Sequence, residues 1–426
     1  MQVVRFGTHE MPLEVALLGG ARVTRVLPDG EEPEDAATLV RKALDHPVGP
    51  RLREIARGAA SAAVLIPGID RIAAVRAFAM PLLRELDEAG IPRGRVRFCL
   101  ATGTHAHDGH RDLEALLGLP ITRSAEGVIH DCRGRDFVEV GTTTRGTRVE
   151  FARAVVESEV KVLTGRVVPH YFAGFGGGRK ALLPGVASYE TIVANHRLTL
   201  AAERGVAPGV APCVLDGNPV HLDMIEASRF VRPTFALSTV LDAQDRLVGV
   251  FAGETESSHR QACSFARRIH QVCVDEPFDA VITSAGGAPY DMNFMQSLKA
   301  LFNTQEAVRP GGAMLWIAEC LLGVAPFFLD WASFEDDETL EREVRRSYNL
   351  GGHNSIMLRH LTRRCEVGMV TAMPADRARR LGLHPLGSLE AGLRWLGERV
   401  RPGAHVAFVP FGNITHLGLA TSGGST

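Results

Sequence analysis

One stretch of this 426-residue chain decides the fold: Val168-Pro-His-Tyr-Phe-Ala-Gly-Phe-Gly-Gly-Gly-Arg-Lys-Ala-Leu-Leu-Pro-Gly185. It follows Val160-Lys-Val-Leu-Thr164, which predicts a strand. The glycines of the stretch permit positive φ and close backbone approach, so that N–H groups can converge on an anion. The stretch therefore predicts an anion-binding loop at the end of a strand.

Two familiar phosphate-binding loops do not fit this stretch. A Walker A motif starting at Gly174 would require glycine and Ser or Thr at the positions of Arg179 and Ala181. A dinucleotide-binding G-x-G-x-x-G motif would also require glycine where Arg179 stands. The first motif is absent, and the second lacks one of its glycines.

The stretch instead resembles, nearly residue for residue, the signature P-H-[FY]-F-A-G-F-[SG]-G-G-R-K-x-[IL]-x-P-G of the nickel-dependent lactate racemase family. The family signature continues to an Asn-His pair, which matches Asn195-His196. The resemblance implies that Lys180 carries a covalently tethered nickel-pincer nucleotide, nickel pyridinium-3,5-bisthiocarboxylic acid mononucleotide, and that His196 binds the nickel. The alternative is a glycine-rich loop whose histidines merely satisfy backbone groups.

The loop also contains the residues that would lie beside a bound anion, which the resemblance implies is the cofactor. Its backbone N–H groups and its cations would lie beside the bound phosphate or carboxylate. The predicted cofactor-binding residues are Lys180, Arg179, Gly176, Gly177 and Gly178.

Two histidines follow predicted strand ends. The strand Arg95–Ala101 delivers Thr102-Gly-Thr-His105 at its carboxyl end, the edge at which open α/β sheets bind ligands. His170 lies beyond the strand Val160–Thr164 in the same way. His105, His107 and His110 are close in sequence, but their spacing on a loop fixes no metal geometry. In the family that the chain resembles, Ala-Thr-Gly-Thr-His supplies one of two catalytic histidines, which implies that His105 and His170 are catalytic.

The resemblance implies a reaction that interconverts the two configurations at C2 of a 2-hydroxy acid. Hydride moves to and from the cofactor, while one histidine removes the hydroxyl proton and the second serves the other enantiomer. Unperturbed imidazole titrates near pH ~6.5, so it can act as base and acid at neutral pH.

A second loop, Gly286–Lys299, follows a predicted strand and opens a helix. Gln296 and Lys299 are three residues apart and share one helical face, where an amide and an ammonium can hold a carboxylate. The alternative is a solvated helix face. The family places a glutamine and a lysine at this spacing in its active site. It also has a substrate-contacting arginine, which Arg71 of this chain matches. The predicted substrate-binding residues are Arg71, Gln296 and Lys299.

Four positions depart from the family pattern, three of them in one motif. Where the family has D-x-T-R-P, this chain has Gly68-Ile-Asp-Arg-Ile72, and Met295 stands where the lactate enzyme has tyrosine. Gly68 lacks the carboxyl group of the family's acid, and Met295 has an adaptable side chain. Both differences predict a roomier pocket and a substrate larger than lactate. Asp70, if turned inward, would favour hydroxyl-rich acids.

Strands that alternate with helices predict an α/β fold with two domains, each with a mostly parallel sheet flanked by helices, and an active site in the cleft between them. The predicted domains are residues 1–272, which bind the cofactor and carry catalysis, and residues 273–426, which contribute the substrate-binding loop. The boundary is placed where Asp275-Glu-Pro277 interrupts the pattern.

Composition narrows the class of protein further. The net charge of −2 provides no broad field for nucleic acid or an anionic membrane, so the expected partners are a small 2-hydroxy acid and the cofactor-synthesis enzymes. The seven cysteines are dispersed without a C-x-x-C pair, and no leader or apolar span is evident, so a cytoplasmic location is expected. Two other functions stay open: a carrier that holds the nickel-pincer cofactor without turnover, and a simple metallohydrolase.

Overall fold

The structure is a computed structural model that describes residues 2–31, 34–69, 72–105 and 108–420. Its strands, in chain order, are β1 (Gln2–Phe6), β2 (His9–Leu13), β3 (Arg22–Arg25), β4 (Ala62–Ile66), β5 (Val96–Leu100), β6 (Glu126–Ile129), β7 (Phe137–Thr142), β8 (Arg148–Ala152), β9 (Val160–Arg166), β10 (Pro169–His170), β11 (Gly174–Phe175), β12 (Thr234–Leu241), β13 (Leu247–Gly253), β14 (Gln271–Val274), β15 (Phe278–Ser284), β16 (Val308–Ile317), β17 (Glu366–Val370), β18 (His384–Leu386), β19 (His405–Val409) and β20 (His416–Leu419).

The helices alternate with these strands for most of the chain. They are α1 (Ala36–Asp45), α2 (Leu52–Ile55), α3 (Ile72–Glu88), α4 (Gly109–Leu117), α5 (Leu119–Thr122), α6 (Arg153–Val156), α7 (Tyr189–Arg197), α8 (Pro219–Ser228), α9 (Thr255–His270), α10 (Phe294–Thr304), α11 (Pro326–Ala332), α12 (Asp337–Arg346), α13 (Gly352–Arg364), α14 (Ala375–Arg380) and α15 (Leu389–Gly397). None of the helices described has the length and hydropathy needed to cross a bilayer.

Two six-stranded sheets form the centre of the molecule. The first has the order β13-β12-β9-β4-β5-β6, and the second has the order β18-β17-β16-β15-β19-β3. Every neighbouring pair in both sheets is parallel except β12 and β13. The predicted α/β class, with mostly parallel sheets flanked by helices, is confirmed.

Strand β4, in the middle of the first sheet, is buried on both faces, as its continuous apolar sequence predicts. Val64 and Phe98 point to one face and share a core with Phe78 of α3. The alternate residues, including Leu65, point to the other face and belong to a core that also contains Val281 of β15. One apolar core therefore runs from the first sheet into the second half of the chain.

Residues at the carboxyl ends of the two sheets are in contact. Arg166 ends β9, and its Nη1 donates to the hydroxyl oxygen of Tyr290, in the loop after β15, at 3.1 Å. The same Nη1 donates to Asp245 Oδ1 at 3.0 Å. Because ligand-binding loops leave parallel sheets at this edge, loops from both halves meet in one place.

One strand departs from the predicted domain division. Residues 22–25, predicted to belong to the N-terminal domain, form β3 and pair with β19 in the second sheet. The short sequence Arg22-Val-Thr-Arg25 carries no signal of its partner, because sheet membership is decided by contacts distant in sequence. The division at residues 272 and 273 itself stays a prediction.

The sequence pattern also did not predict the segment from α13 to β18. The first seven residues of α13, Gly352–Leu358, are all buried, including His353, Asn354 and Ser355. A helix buried on all sides has no apolar stripe, and polar residues in its core obscure the helical period further.

The edge position of β3 leads to a stability prediction. The Arg22 N–H donates to the Ala404 carbonyl at 2.7 Å, and the Arg22 side chain is exposed. Arg22→Pro removes this donor and should lower the free energy of unfolding by about 1–3 kcal/mol. Arg22→Ala, the matched control, should change it by less than about 0.5 kcal/mol. Chemical denaturation measures the free energy of unfolding of both variants. Equal values would show that the backbone hydrogen bonds of β3 do not contribute to stability.

Candidate functional site

The glycine-rich loop leaves the end of β9 and folds back on itself. His170 pairs with Gly174 in the short antiparallel hairpin of β10 and β11. One turn of 3-10 helix, Gly178–Ala181, follows and carries Lys180. His170 is therefore held by the hairpin, and Lys180 is held by the 3-10 helix that follows it.

Two glycines in this loop are required by the backbone and by packing. Gly177 and Gly178 have φ values of +72° and +54°. A Cβ on Gly177 would lie 2.5 Å from Val167 Cγ2, and a Cβ on Gly178 would lie 2.7 Å from His259 Cδ2. Any other residue would be strained in both respects. That Gly176, Gly177 and Gly178 also contact a cofactor stays a prediction.

Arg179 is completely buried and ties the loop together. Its Nη1 donates to the carbonyl oxygens of Gly176 and Gly177 at 3.2 and 3.3 Å, and its Nη2 donates to that of Ala173 at 2.8 Å. Burial lowers the pKa of Arg179 to about 10, so the group stays charged at neutral pH. These contacts favour a structural role for Arg179, and its predicted contact with a cofactor stays a prediction.

The Phe172 ring is the meeting point of three predicted site residues. Its centroid lies 4.4 Å from that of His170 and 5.0 Å from that of His196. The Lys180 Nζ lies 5.4 Å from the same centroid. Residues 170, 180 and 196, which come from a hairpin, a 3-10 turn and α7, are thus brought into one neighbourhood.

Both imidazoles in this neighbourhood are held neutral. Burial lowers the pKa of His170 well below its usual range, and the nearby Lys180 and Lys299 add to that effect. Burial likewise lowers the pKa of His196, with further contributions from His353 and Lys180. A neutral imidazole has a lone pair, which a base or a metal ligand requires.

A buried carboxylate fixes the helix that presents His196. The neighbouring Asn195 donates from Nδ2 to Asp223 Oδ2 at 2.8 Å. Asp223 also accepts from the hydroxyls of Thr143 and Thr147, at 2.5 and 2.9 Å. The orientation of α7 is therefore set by a hydrogen-bond network rather than by apolar packing alone.

The residues of this neighbourhood fit a nickel cofactor that brings most of its own ligands. The described residues contain no group of three or more His, Cys, Asp or Glu side chains arranged around a metal position. His196 offers one neutral imidazole, and its Nδ1 is buried without a hydrogen bond to the described part of the chain. Imidazole is a suitable ligand for nickel. Lys180 supplies an amine close by.

The second half of the chain reaches the site through α10. Lys299 Nζ donates to Gln296 Oε1 at 2.6 Å, and Gln296 Nε2 lies 3.0 Å from His105 Nδ1. The structure thus joins two predicted substrate-binding residues to a predicted catalytic histidine in one chain of contacts. Arg71, Asp70 and His107 lie outside the described residues, so the predicted role of Arg71 stays a prediction.

Sequence reasoning missed His353, at the start of α13. Its ring lies 5.0 Å from that of Phe172, and its Nδ1 lies 2.7 Å from the Tyr348 hydroxyl. Burial lowers the pKa of His353 to about 3. The one local signal was the pair Gly351-Gly352, which allows α13 to begin tightly against Met295.

Two family models match the chain. One describes the lactate racemase N-terminal domain and matches residues 6–207, and the other describes the lactate racemase C-terminal domain and matches residues 274–413. Together they cover most of both halves of the molecule.

Curated relatives and a solved structure agree with these matches. Lactate racemases of Thermoanaerobacterium thermosaccharolyticum and Lactiplantibacillus plantarum are 34% and 32% identical over 287 and 281 residues, or 67% and 66% of this chain. The aligned regions span 66% and 65% of those relatives, slightly less than two thirds of their length. The apoprotein structure of the Thermoanaerobacterium lactate racemase superposes with a TM-score of 0.84 at 27% identity, covering 97% of this chain and 99% of that one.

A second solved structure, of a Thermotoga maritima protein, shares the fold. It superposes with a TM-score of 0.68 at 16% identity and covers 92% of this chain and 99% of its own.

The tight loop gives a prediction with an internal control. Gly177→Ala combines a positive φ with a contact at 2.5 Å and should cost about 2–4 kcal/mol of stability. Gly217 has almost the same φ, +73°, with no atom within 4 Å of an added Cβ, so Gly217→Ala should cost only about 1–2 kcal/mol. Thermal and chemical unfolding measure the difference. Equal costs would mean that the loop yields to accommodate the methyl group.

Proposed function

Because this chain belongs to the lactate racemase family, we propose that it is a nickel-dependent racemase or epimerase that inverts C2 of a 2-hydroxy acid. The observation that carries the proposal is the convergence of His170, His196 and Lys180 on the Phe172 ring. Lys180 would tether the nickel-pincer nucleotide and His196 would bind its nickel. When bound, that cofactor would supply a reversible acceptor for the hydride of C2.

The two histidines handle the hydroxyl proton. As C2 becomes planar, the imidazole on the side of the hydroxyl takes its proton, and a 2-keto acid is held between the two rings. Two bases are required because the hydroxyl points in a different direction in each enantiomer. The surroundings of His170 keep it neutral, so it has the free lone pair that accepting a proton requires. We assign the opposite side to His105.

The substrate carboxylate is assigned to Lys299, with Gln296 and Arg71. Lys299 lies close enough to His170 to depress its pKa. A bound carboxylate would offset part of this positive charge, so it would make His170 a stronger base when substrate is present. This arrangement couples substrate binding to proton abstraction.

We further propose a substrate larger than lactate. Met295 contacts Asn354, whose Nδ2 lies 3.9 Å from its sulfur, so this wall of the site is built from an adaptable side chain and an amide. An amide wall favours a substrate that carries further hydroxyl groups, and so would Asp70, which is next to Arg71 in the sequence. The enzyme would act in the cytoplasm and receive its cofactor from the cofactor-synthesis enzymes.

Cofactor attachment and turnover are tested separately on protein produced together with those synthesis enzymes. Intact mass should show an adduct that is lost in Lys180→Ala and kept in Lys299→Ala, the control for loss of a site lysine. His170→Gln should keep the adduct and lose ~10²–10⁴-fold in racemisation rate, because it removes a positioned base. An adduct without racemisation of any 2-hydroxy acid by the unaltered protein would indicate a carrier instead.

Substrate preference is tested by kcat/KM across lactate and longer aliphatic, aromatic, dicarboxylic and sugar 2-hydroxy acids. A matched extra methylene is worth ~1–3 kcal/mol, or ~10–200-fold in selectivity, so a larger acid should exceed lactate by at least tenfold. Met295→Tyr, which restores the family residue, should shift the ranking toward lactate. Lactate in first place for the unaltered enzyme would contradict the proposal on substrate size.

A further inference from the structure

Gln296 lies between a cation and an imidazole. Its Oε1 accepts from Lys299 Nζ at 2.6 Å, and its Nε2 lies 3.0 Å from His105 Nδ1. Its backbone is held as well, because the Gln296 N–H donates to Asn293 Oδ1 at 2.9 Å in the first turn of α10. Both polar atoms of the side-chain amide are therefore in contact with a neighbour, and the backbone of the residue is held by a hydrogen bond.

The chemistry of Lys299 decides which way this amide faces. An ammonium group has three donors and no acceptor, so only the amide oxygen can face it. The amide NH₂ must then face His105, and because it too has only donors, it requires a lone pair on Nδ1. A neutral imidazole with its lone pair on Nδ1 carries its proton on Nε2.

We propose that Gln296 is a positioning residue that transmits the state of Lys299 to the tautomer of His105. While Lys299 holds the amide oxygen, His105 carries its proton on Nε2 and its lone pair is occupied at Nδ1. When Lys299 turns to another acceptor, the amide rotates, offers its oxygen to an Nδ1 proton, and leaves the lone pair on Nε2.

The consequence for catalysis rests on the proposed function. A substrate carboxylate is a stronger acceptor for Lys299 than a neutral amide oxygen is. Binding of a 2-hydroxy acid would therefore release Gln296 and convert Nε2 of His105 from a donor into a base. In the absence of substrate, the same contacts keep His105 in the tautomer that cannot take up a proton at Nε2.

The tautomer can be measured without cofactor or turnover. In ¹⁵N-histidine-labelled, cofactor-free protein, NMR distinguishes protonated from unprotonated ring nitrogens, and His105→Gln identifies the signals. At pH ~9, where an ordinary imidazole is neutral, the unaltered protein should show His105 protonated on Nε2. Gln296→Glu presents only acceptors and should move the proton to Nδ1. Lys299→Glu attracts the amide NH₂, turns Gln296, and should do the same.

A double variant separates transmission through Gln296 from a direct effect of charge. Lys299→Glu combined with Gln296→Met should return the proton to Nε2, because the chain of contacts is cut. Gln296→Met alone should leave the proton on Nε2, because no amide oxygen is then present to accept from Nδ1, and unchanged signals of the other histidines verify the fold. A proton that stays on Nε2 in Gln296→Glu, or on Nδ1 in the double variant, would overturn the proposal. Neither result depends on whether the protein is a racemase.

Discussion

A buried guanidinium holds the centre of this molecule in place. Arg179 has no carboxylate partner among the described residues, and its charge is satisfied by backbone carbonyls of the loop that carries it. Burying a charge is tolerated only when the charge is hydrogen-bonded, so the loop must follow the path that brings these carbonyls to the guanidinium. Its glycines allow the backbone to approach closely enough, and the positions of Phe172 and Lys180 follow. A segment with the composition of a flexible loop is thereby as fixed as a core strand.

The site is complete only when both halves of the chain contribute. The first half supplies His105, His170, Lys180 and His196 from loops and a helix at the carboxyl edge of its sheet. The second half supplies Gln296 and Lys299 from α10, and the ring of Phe302 on the same helix packs 5.2 Å from that of Tyr171. Apolar contact thus sets the distance between the halves, and polar contact sets the orientation of the side chains.

The sequence predicted what is local in the chain and missed what is decided by distant contacts. The buried strand β4 is a continuous apolar run, and the loop after it can be assigned to the ligand-binding edge. The structure brings His170, Lys180 and His196 together as the spacing and the resemblance suggested. It could not be predicted that Arg179 turns inward or that His353 joins the Phe172 ring. Both depend on carbonyls and rings that no pattern identifies, because burial of a polar residue leaves no periodic signal.

The position of β3 constrains the order in which the molecule can be assembled. Thr24 and His405, whose side chains lie 2.8 Å apart, are separated by 381 residues. During synthesis β3 emerges long before its neighbour β19, so the first sheet can form while β3 is still unpaired. Pairing of strands so distant in sequence is slow, because the entropy cost of closing a very long loop comes before any stabilising contact forms. The second sheet is therefore expected to close last, and nascent or truncated chains should depend on chaperones that shield an exposed strand.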